Sequence, residues 1–378
     1  MKIEFTDQQR ENQAAFRSFV DREVFPYANQ FDQEEKLPAA LIAKMAKEGY
    51  LGAVIPPERG GVGMDMVTFG LLNEEFGRGC SSARGLLTVH SMVSAAILRW
   101  GRPHQKDHWL PRLATGEALG AFALTEPHAG SDAKSIQTEA IECENGYRLT
   151  GKKKWITFGQ IADLFLVFAR FGDSHKAFLV EKTTPGLETH PIYGMLGTRA
   201  SMLAEVHLND CLVPKENILG GSGFGFSAVA LSALDMGRYT VATGCVGIGQ
   251  ACLEACIKYT SERKQFDVPL KEHQLIGEMI ANMVVNVKAA RWLCYRAGYL
   301  KDIKDSAATD ETLVAKYFAS TMAFKAASDA VQIHGANGCS SDYPVQRYLR
   351  DAKIMEIIEG SSQMQQLLIS KSAYVGGR

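Results

Sequence analysis

No Cys-x-x-Cys pair occurs in this chain, although it holds 8 cysteines. They are scattered, and Cys252 and Cys256, at helical spacing, read as small core residues. A redox dithiol and the common zinc spacings are thereby excluded, and a reduced compartment fits better than a disulfide scaffold. A charge surplus is also missing, since 41 basic and 42 acidic residues leave a net charge of −1. The one basic run, Lys152-Lys153-Lys154, is too short for a stripe, so nucleic acid and membrane surfaces are not expected partners. No apolar run is expected to reach the length of a membrane span. The start, Met1-Lys-Ile-Glu-Phe-Thr, is too acidic and polar for a signal or transit peptide, which points to the cytoplasm. There is no P-loop and no His-Glu-x-x-His, so no metal is expected. Gly221-Ser-Gly-Phe-Gly225 imitates a dinucleotide fingerprint, but a Pro-containing loop stands where a strand is required.

What is present suggests two or three domains, as 378 residues exceed one ordinary core. Residues 1–119 read as helical. Thr6-Asp-Gln-Gln is a capping signal, followed by Phe16, Phe19, Val20 and Val24 at helical spacing. A helix runs from Leu37-Pro38 to Glu48-Gly49, and Trp100-Gly-Arg-Pro breaks a later helical stretch. Residues 120–222 read as an antiparallel β-barrel domain, with Asn145-Gly146 expected as a hairpin turn. Gly220-Gly-Ser-Gly-Phe-Gly225 leads out of it. Residues 223–378 read as a four-helix bundle, with helices over about 224–262, 270–301, 307–337 and 343–375. The fold class is α+β, mostly α.

Several segments carry chemistry. Glu359 stands before Gly360-Ser361-Ser362 and after an apolar run. There an acid lies at the edge of a packed interior, where desolvation raises its pKa and suits it to proton transfer. In Leu124-Thr-Glu-Pro-His-Ala-Gly-Ser-Asp132, hydroxyls and backbone N–H groups could meet a planar polar ligand or an anion. In Lys154-Trp-Ile-Thr157, strand alternation puts Trp155 and Thr157 on one face, an indole and a hydroxyl for a flat ring. Arg263-Lys-Gln-Phe266 and His273-Gln274 could hold phosphate and an adenine edge. In Gln332-Ile-His-Gly335, the glycine could admit a ligand closely or simply cap a helix. Taken alone, each segment also reads as ordinary packing, capping or turn chemistry.

In this order the pieces resemble the acyl-CoA dehydrogenase family, over essentially the whole chain. The resemblance rests on Thr125-Glu-Pro-x-Ala-Gly-Ser-Asp132, Trp155-Ile-Thr157, Leu234-Asp-Met-Gly-Arg238, Arg263-Lys-x-Phe266, His273-Gln274, Tyr343-Pro344, Arg350-Asp-Ala-Lys353 and Glu359-Gly360. It implies FAD, held by Phe122, Leu124, Thr125, Gly130, Ser131, Trp155 and Thr157. Arg263, Phe266, Gln274, Gln332 and Gly335 would reach the nucleotide end of a neighbouring subunit's FAD in a homotetramer, and Ser361 and Gln363 would touch FAD beside the base. Ser131, Asp235, Arg238, Gly360 and Lys371 would contact substrate. Family members place the catalytic base either before the Arg of Leu-Asp-x-x-Arg, here Gly237, or in the Glu-Gly motif, here Glu359. The implied reaction is α,β-dehydrogenation of a short acyl thioester. Glu359 takes the α proton while the β hydrogen leaves as hydride to the flavin, and electrons pass to an electron-transfer flavoprotein or another acceptor. Departures from the family pattern at His128, Phe158, Ala336, Ile358 and Lys371 leave open whether CoA or an acyl carrier protein bears the acyl group. A flavin oxidase or monooxygenase on the same scaffold is one alternative. A non-catalytic carrier-binding protein is another.

Overall fold

The computed structural model describes residues 4–221 and 225–376. The linker expected at 220–225 falls largely on residues 222–224, outside the described residues. The first domain holds α1 (Asp7–Glu23), α2 (Ala28–Glu34), α3 (Ala39–Lys47), α4 (Met66–Gly79), α5 (Ser81–Trp100) and α6 (Pro103–Thr115). Helix α1 starts where its capping signal stands. The Thr6 side chain accepts from the Gln9 N–H at 3.2 Å, and the Gln9 side chain accepts from the Thr6 N–H at 3.0 Å. Pro103 opens α6 just past the end of α5, as the Trp100 break predicts.

The middle domain is one sheet of β1 (Gly120–Ala123), β2 (Glu139–Cys143), β3 (Gly146–Ile156), β4 (Leu164–Phe171), β5 (Ser174–Glu181), β6 (Leu187–Pro191), β7 (Ala204–Val213) and β8 (Ile218–Leu219). Its order is β6-β7-β3-β2-β4-β5-β8, with β1 on β4. Two expectations are corrected. The pairing is an open path rather than a closed barrel among the described residues, and β1 runs parallel to β4. Parallel pairing is available because β1 arrives from α6 and meets β4 only after the β2–β3 hairpin has intervened, so no tight turn joins them. The hairpin turn is also shifted by one residue. Glu144 and Asn145 make it, while Gly146 already pairs with Cys143 under the carbonyl of Val213.

The last domain holds α7 (Leu231–Glu262), a small hairpin of β9 (Lys264–Gln265) and β10 (Val268–Pro269), α8 (Gln274–Asp302), α9 (Ala308–His334), α10 (Val345–Met355) and α11 (Ser362–Gly376). The bundle expected of four helices therefore has five, because the stretch 343–375 is broken. Helix α7 is its axis and packs on α4, α5, α8 and α9. A helix covered on every side is apolar on every side. This corrects the expectation about apolar runs: Gly225–Glu262, 38 residues, is long and apolar enough to cross a membrane, but 78% of its most apolar stretch is buried inside the protein. Arg350-Asp-Ala-Lys353 serves as scaffold. Arg350 grips Asp32 of α2 at 2.6 Å, and Asp351 accepts the Thr198 N–H at 2.6 Å, tying α10 to the first domain and to the sheet.

Candidate active site

Glu359 breaks the helix expected over 343–375. Its φ is +55°, and Gly360 follows at +91°. An L residue in the left-handed region costs roughly 1–2 kcal/mol, so neighbours must hold it there. Arg238 Nε donates to the Glu359 carbonyl at 3.2 Å, and Gln365 Nε2 donates to the same oxygen at 3.1 Å and to the Gly360 carbonyl at 3.0 Å. Lys316 Nζ donates to the Gly360 carbonyl at 2.7 Å. Ser361 Oγ then caps α11 by accepting the Met364 N–H at 3.3 Å. The loop is thus a rigid joint between two helices.

The carboxyl of Glu359 points inward. Its Oε2 is buried and without a hydrogen-bond partner. Burial pushes its pKa up to about 7, against the pull of Arg238, Lys316 and Arg84. The space it occupies exists because residue 237 is glycine. A Cβ there would lie 2.7 Å from Glu359 Cδ, closer still to Oε2, and 2.9 Å from Met92 Sδ.

A second group of residues assembles at one edge of the sheet. The Lys154 N–H donates to the Thr125 carbonyl at 2.9 Å. Beneath it the buried Lys153 donates to the Leu124 carbonyl at 3.1 Å and pairs with Glu126 at 2.7 Å. These bonds bring Phe122, Leu124 and Thr125 beside Trp155 and Thr157. Simple strand alternation is not what orients the last two. The register shifts between Lys153 and Ile156, Trp155 has φ +61°, and Thr157 lies past the strand end. The bulge re-aims the indole outward, where it stays 46% exposed. Nothing lies within 4 Å of the place where a Gly130 side chain would start, and Ser131 is exposed beside it. An open aromatic face, hydroxyls and uncrowded backbone N–H groups fit a flavin ring. Thr157 also packs toward α5, with its Cγ2 3.9 Å from the missing Cβ of Gly85.

Arg263, Phe266, Gln274, Gln332 and Gly335 gather elsewhere, at the far end of α7. Tyr259 stacks on His334 with ring centres 4.1 Å apart, and Asn337 bonds the Tyr259 hydroxyl at 2.9 Å. This joins the end of α7 to the end of α9. All five residues are exposed. At 1.5 Å per residue they lie about 40 Å along α7 from Gly237. Arg263 and the Glu359 carboxyl beside Gly237 thus stand toward opposite ends of α7.

Of the remaining expected residues, Asp235 pairs with Lys301 of α8. Lys371 and Gln363 are exposed on α11. Sequence reading missed Lys316, Gln365 and Arg84. Lys316 had a signal, for it is the one lysine in the buried stripe Thr312, Leu313, Ala315, Ala319 and Ser320 of α9.

Comparison with known proteins decides the family. Residues 6–117, 121–211 and 222–374 match the N-terminal, middle and C-terminal domains of acyl-CoA dehydrogenase. The chain belongs to the acyl-CoA dehydrogenase family. An acyl-CoA dehydrogenase of Bacillus subtilis is 41% identical, over 94% of this chain and 95% of its own. The mitochondrial short-chain specific acyl-CoA dehydrogenase of Rattus norvegicus is 39% identical, over 94% of this chain and 87% of its own. Among solved structures, the butyryl-CoA dehydrogenase of Megasphaera elsdenii superposes with a TM-score of 0.96 at 34% identity, covering 99% of this chain and 100% of that one. A glutaryl-CoA dehydrogenase in complex with glutaryl-CoA gives 0.95 at 35%, covering 100% and 98%. The prolyl acyl carrier protein oxidase AnaB gives 0.93 at 28%, covering 99% of this chain and 100% of that one. This acyl-CoA dehydrogenase is a flavin-dependent oxidoreductase, and its cofactor is FAD.

Proposed function

We propose that this acyl-CoA dehydrogenase acts on a short acyl thioester with Glu359 as the α-proton base. The observation that carries the reading is the Glu359 carboxyl, buried in a slot beside Gly237 with its pKa raised to about 7. An acid so tuned is partly ionised near neutral pH and accepts a proton without large cost. Arg238, Gln365 and Lys316 fix the loop that presents it. When bound, FAD supplies the hydride acceptor for the β carbon. Phe122, Leu124, Thr125, Gly130, Ser131, Trp155 and Thr157 would hold its ring, with Ser361 and Gln363 beside the base. Ser131, Asp235, Arg238, Gly360 and Lys371 would face the thioester. The Glu359 N–H would donate to the thioester carbonyl, where a donor stabilises negative charge as the α proton leaves.

Arg263, Phe266, Gln274, Gln332 and Gly335 would serve the FAD of a neighbouring subunit in a homotetramer. The distance along α7 supports this. A cytoplasmic setting, an electron-transfer flavoprotein as acceptor, and domains of 1–119, 120–222 and 223–378 complete the reading. A carrier-protein thioester is a second reading, favoured by the likeness to AnaB. One screen tests both: anaerobic bleaching of the bound flavin by acyl-CoAs and by the same acyl groups on a carrier protein. Bleaching by short acyl-CoAs is expected. Bleaching only by long-chain thioesters, or by none, overturns the reading.

A further inference from the structure

Arg84 heads the fully buried large side chains, at 2% exposure. The other buried arginines have carboxylates. Arg78 bonds Glu75 at 2.8 Å, and Arg347 stands 3.6 Å from Asp351. Arg84 forms no ion pair among the described residues. Its Nη1 donates to Thr88 Oγ1 at 2.7 Å, its Nη2 meets only the thioether of Met355 at 3.4 Å, and its Nε has no acceptor. A guanidinium keeps its proton in a protein, so the charge cannot be shed. A buried cation without a counter-ion is strongly unfavourable. Among the described residues no carboxylate stands within ion-pair distance of it, and Glu359 and Asp351 act on it only through longer-range charge.

The position of this cation shows what could complete it. Arg84, Thr88 and Met92 recur every fourth residue and form one stripe on α5. Gly237, Thr240 and Gly244 form the facing stripe on α7. Thr88 Oγ1 lies 2.9 Å from Thr240 Oγ1, whose hydroxyl donates to the Gly237 carbonyl at 2.8 Å. A Cβ on Gly244 would lie 3.0 Å from Arg84 Nε, just as one on Gly237 would strike the Glu359 carboxyl. The same pair of helices therefore holds the base at one glycine and the unpaired cation at the other. The two glycines are two turns apart, about 10 Å along the axis. That matches a short acyl chain and an arginine side chain meeting between them.

We propose that Arg84 is a specificity-determining residue that pairs with a carboxylate at the far end of the acyl group, so that the substrate class is a short dicarboxylic acyl thioester. This rests on the acyl-thioester reading above. The guanidinium fork suits a carboxylate in bidentate geometry, and Thr88, which accepts from Nη1 at 2.7 Å, fixes the fork's orientation. An acyl group ending in a methyl would leave the cation unpaired, and sites that strand a buried polar group reject such ligands strongly.

The test compares glutaryl-CoA and adipyl-CoA with butyryl-CoA and hexanoyl-CoA on the FAD-loaded enzyme, on Arg84→Met and on Arg84→Lys. The readouts are anaerobic flavin reduction and, in a Glu359→Gln background, the Kd of each thioester from the flavin spectrum. The parent is expected to favour a dicarboxylic over a monocarboxylic thioester at least 10-fold in kcat/KM. Arg84→Met is expected to lower that ratio by 10²-fold or more and to weaken dicarboxylic binding at least 10-fold, with Arg84→Lys in between. A parent that prefers butyryl-CoA or hexanoyl-CoA overturns the inference and leaves the dehydrogenase reading standing. An equal loss on all four thioesters, with a moved pH profile, also overturns it and makes Arg84 a positioning residue for Glu359. If Arg84→Met does not fold, the parent's preference and Arg84→Lys decide. No bleaching and no binding by any thioester sinks both readings together.

Discussion

The carboxyl of Glu359 fills the space that a side chain at Gly237 would need, with Cδ only 2.7 Å from the missing Cβ. The family resemblance offers two positions for the base, far apart in sequence. In the folded chain they are one place, reached from α7 or from the loop before α11. The glycine is the room that lets the loop acid occupy it.

Gly237→Ala should therefore separate activity from stability. Alanine is the better helix former by about 1 kcal/mol, but its methyl pushes the carboxyl away. Flavin reduction should slow by roughly 10-fold or more, since small misplacements of a reacting group carry penalties of that size. FAD binding should persist. A rate near the parent's would show that Glu359 does not act from this slot.

Glu359→Gln should keep FAD and thioester binding and slow flavin reduction by about 10²-fold or more. It should also change stability with pH. A carboxyl whose folded pKa is about 7, against an ordinary value of 4.5, binds more protons folded than unfolded between those values. Its contribution to stability falls as pH rises through that window. The variant lacks the group, so its urea stability relative to the parent should improve from pH 5 to pH 8, by up to on the order of 3 kcal/mol. A constant difference would contradict the assigned environment.

The pH dependence of kcat/KM for a short acyl thioester should rise to a plateau with a midpoint near 7. Lys316→Met removes a cation that favours the ionised base, so the midpoint should move upward by about 1 unit. An unmoved midpoint, with only a lower plateau, would leave Lys316 a merely structural support of Gly360.

Arg263→Ala should raise the Kd for FAD about 10-fold or more, the scale of a lost charge-assisted hydrogen bond. Glu359 should keep its pKa in the reloaded protein. Light scattering should report a tetramer. A monomer that holds FAD tightly would remove the neighbour's part from the site.

The legible parts of the fold were those with local causes. Thr6 and Gln9 cap α1, Pro103 starts α6, and the domain order follows composition and period. The parts missed depend on long-range contact. The chain from 343 to 375 is helical in pattern, and only the grip of Arg238, Gln365 and Lys316 on the carbonyls of Glu359 and Gly360 turns it into two helices. The bulge at Trp155 answers to the bonds of Lys153 and Lys154, which bind the Leu124–Glu126 segment. Arg84 hid inside an apolar helix because burial on all sides erases the polar face that marks a functional side chain.

The length of α7 has a genetic corollary. On the proposed reading it begins beside the base of one reaction centre and ends at a cluster that would serve another subunit's, so each chain would contribute to two different reaction centres. A defect at Glu359 and a defect at Arg263 then fall in different halves of a centre when they sit on different chains. Coexpressing the two damaged chains should restore some fully intact centres, and each damaged chain alone should restore none.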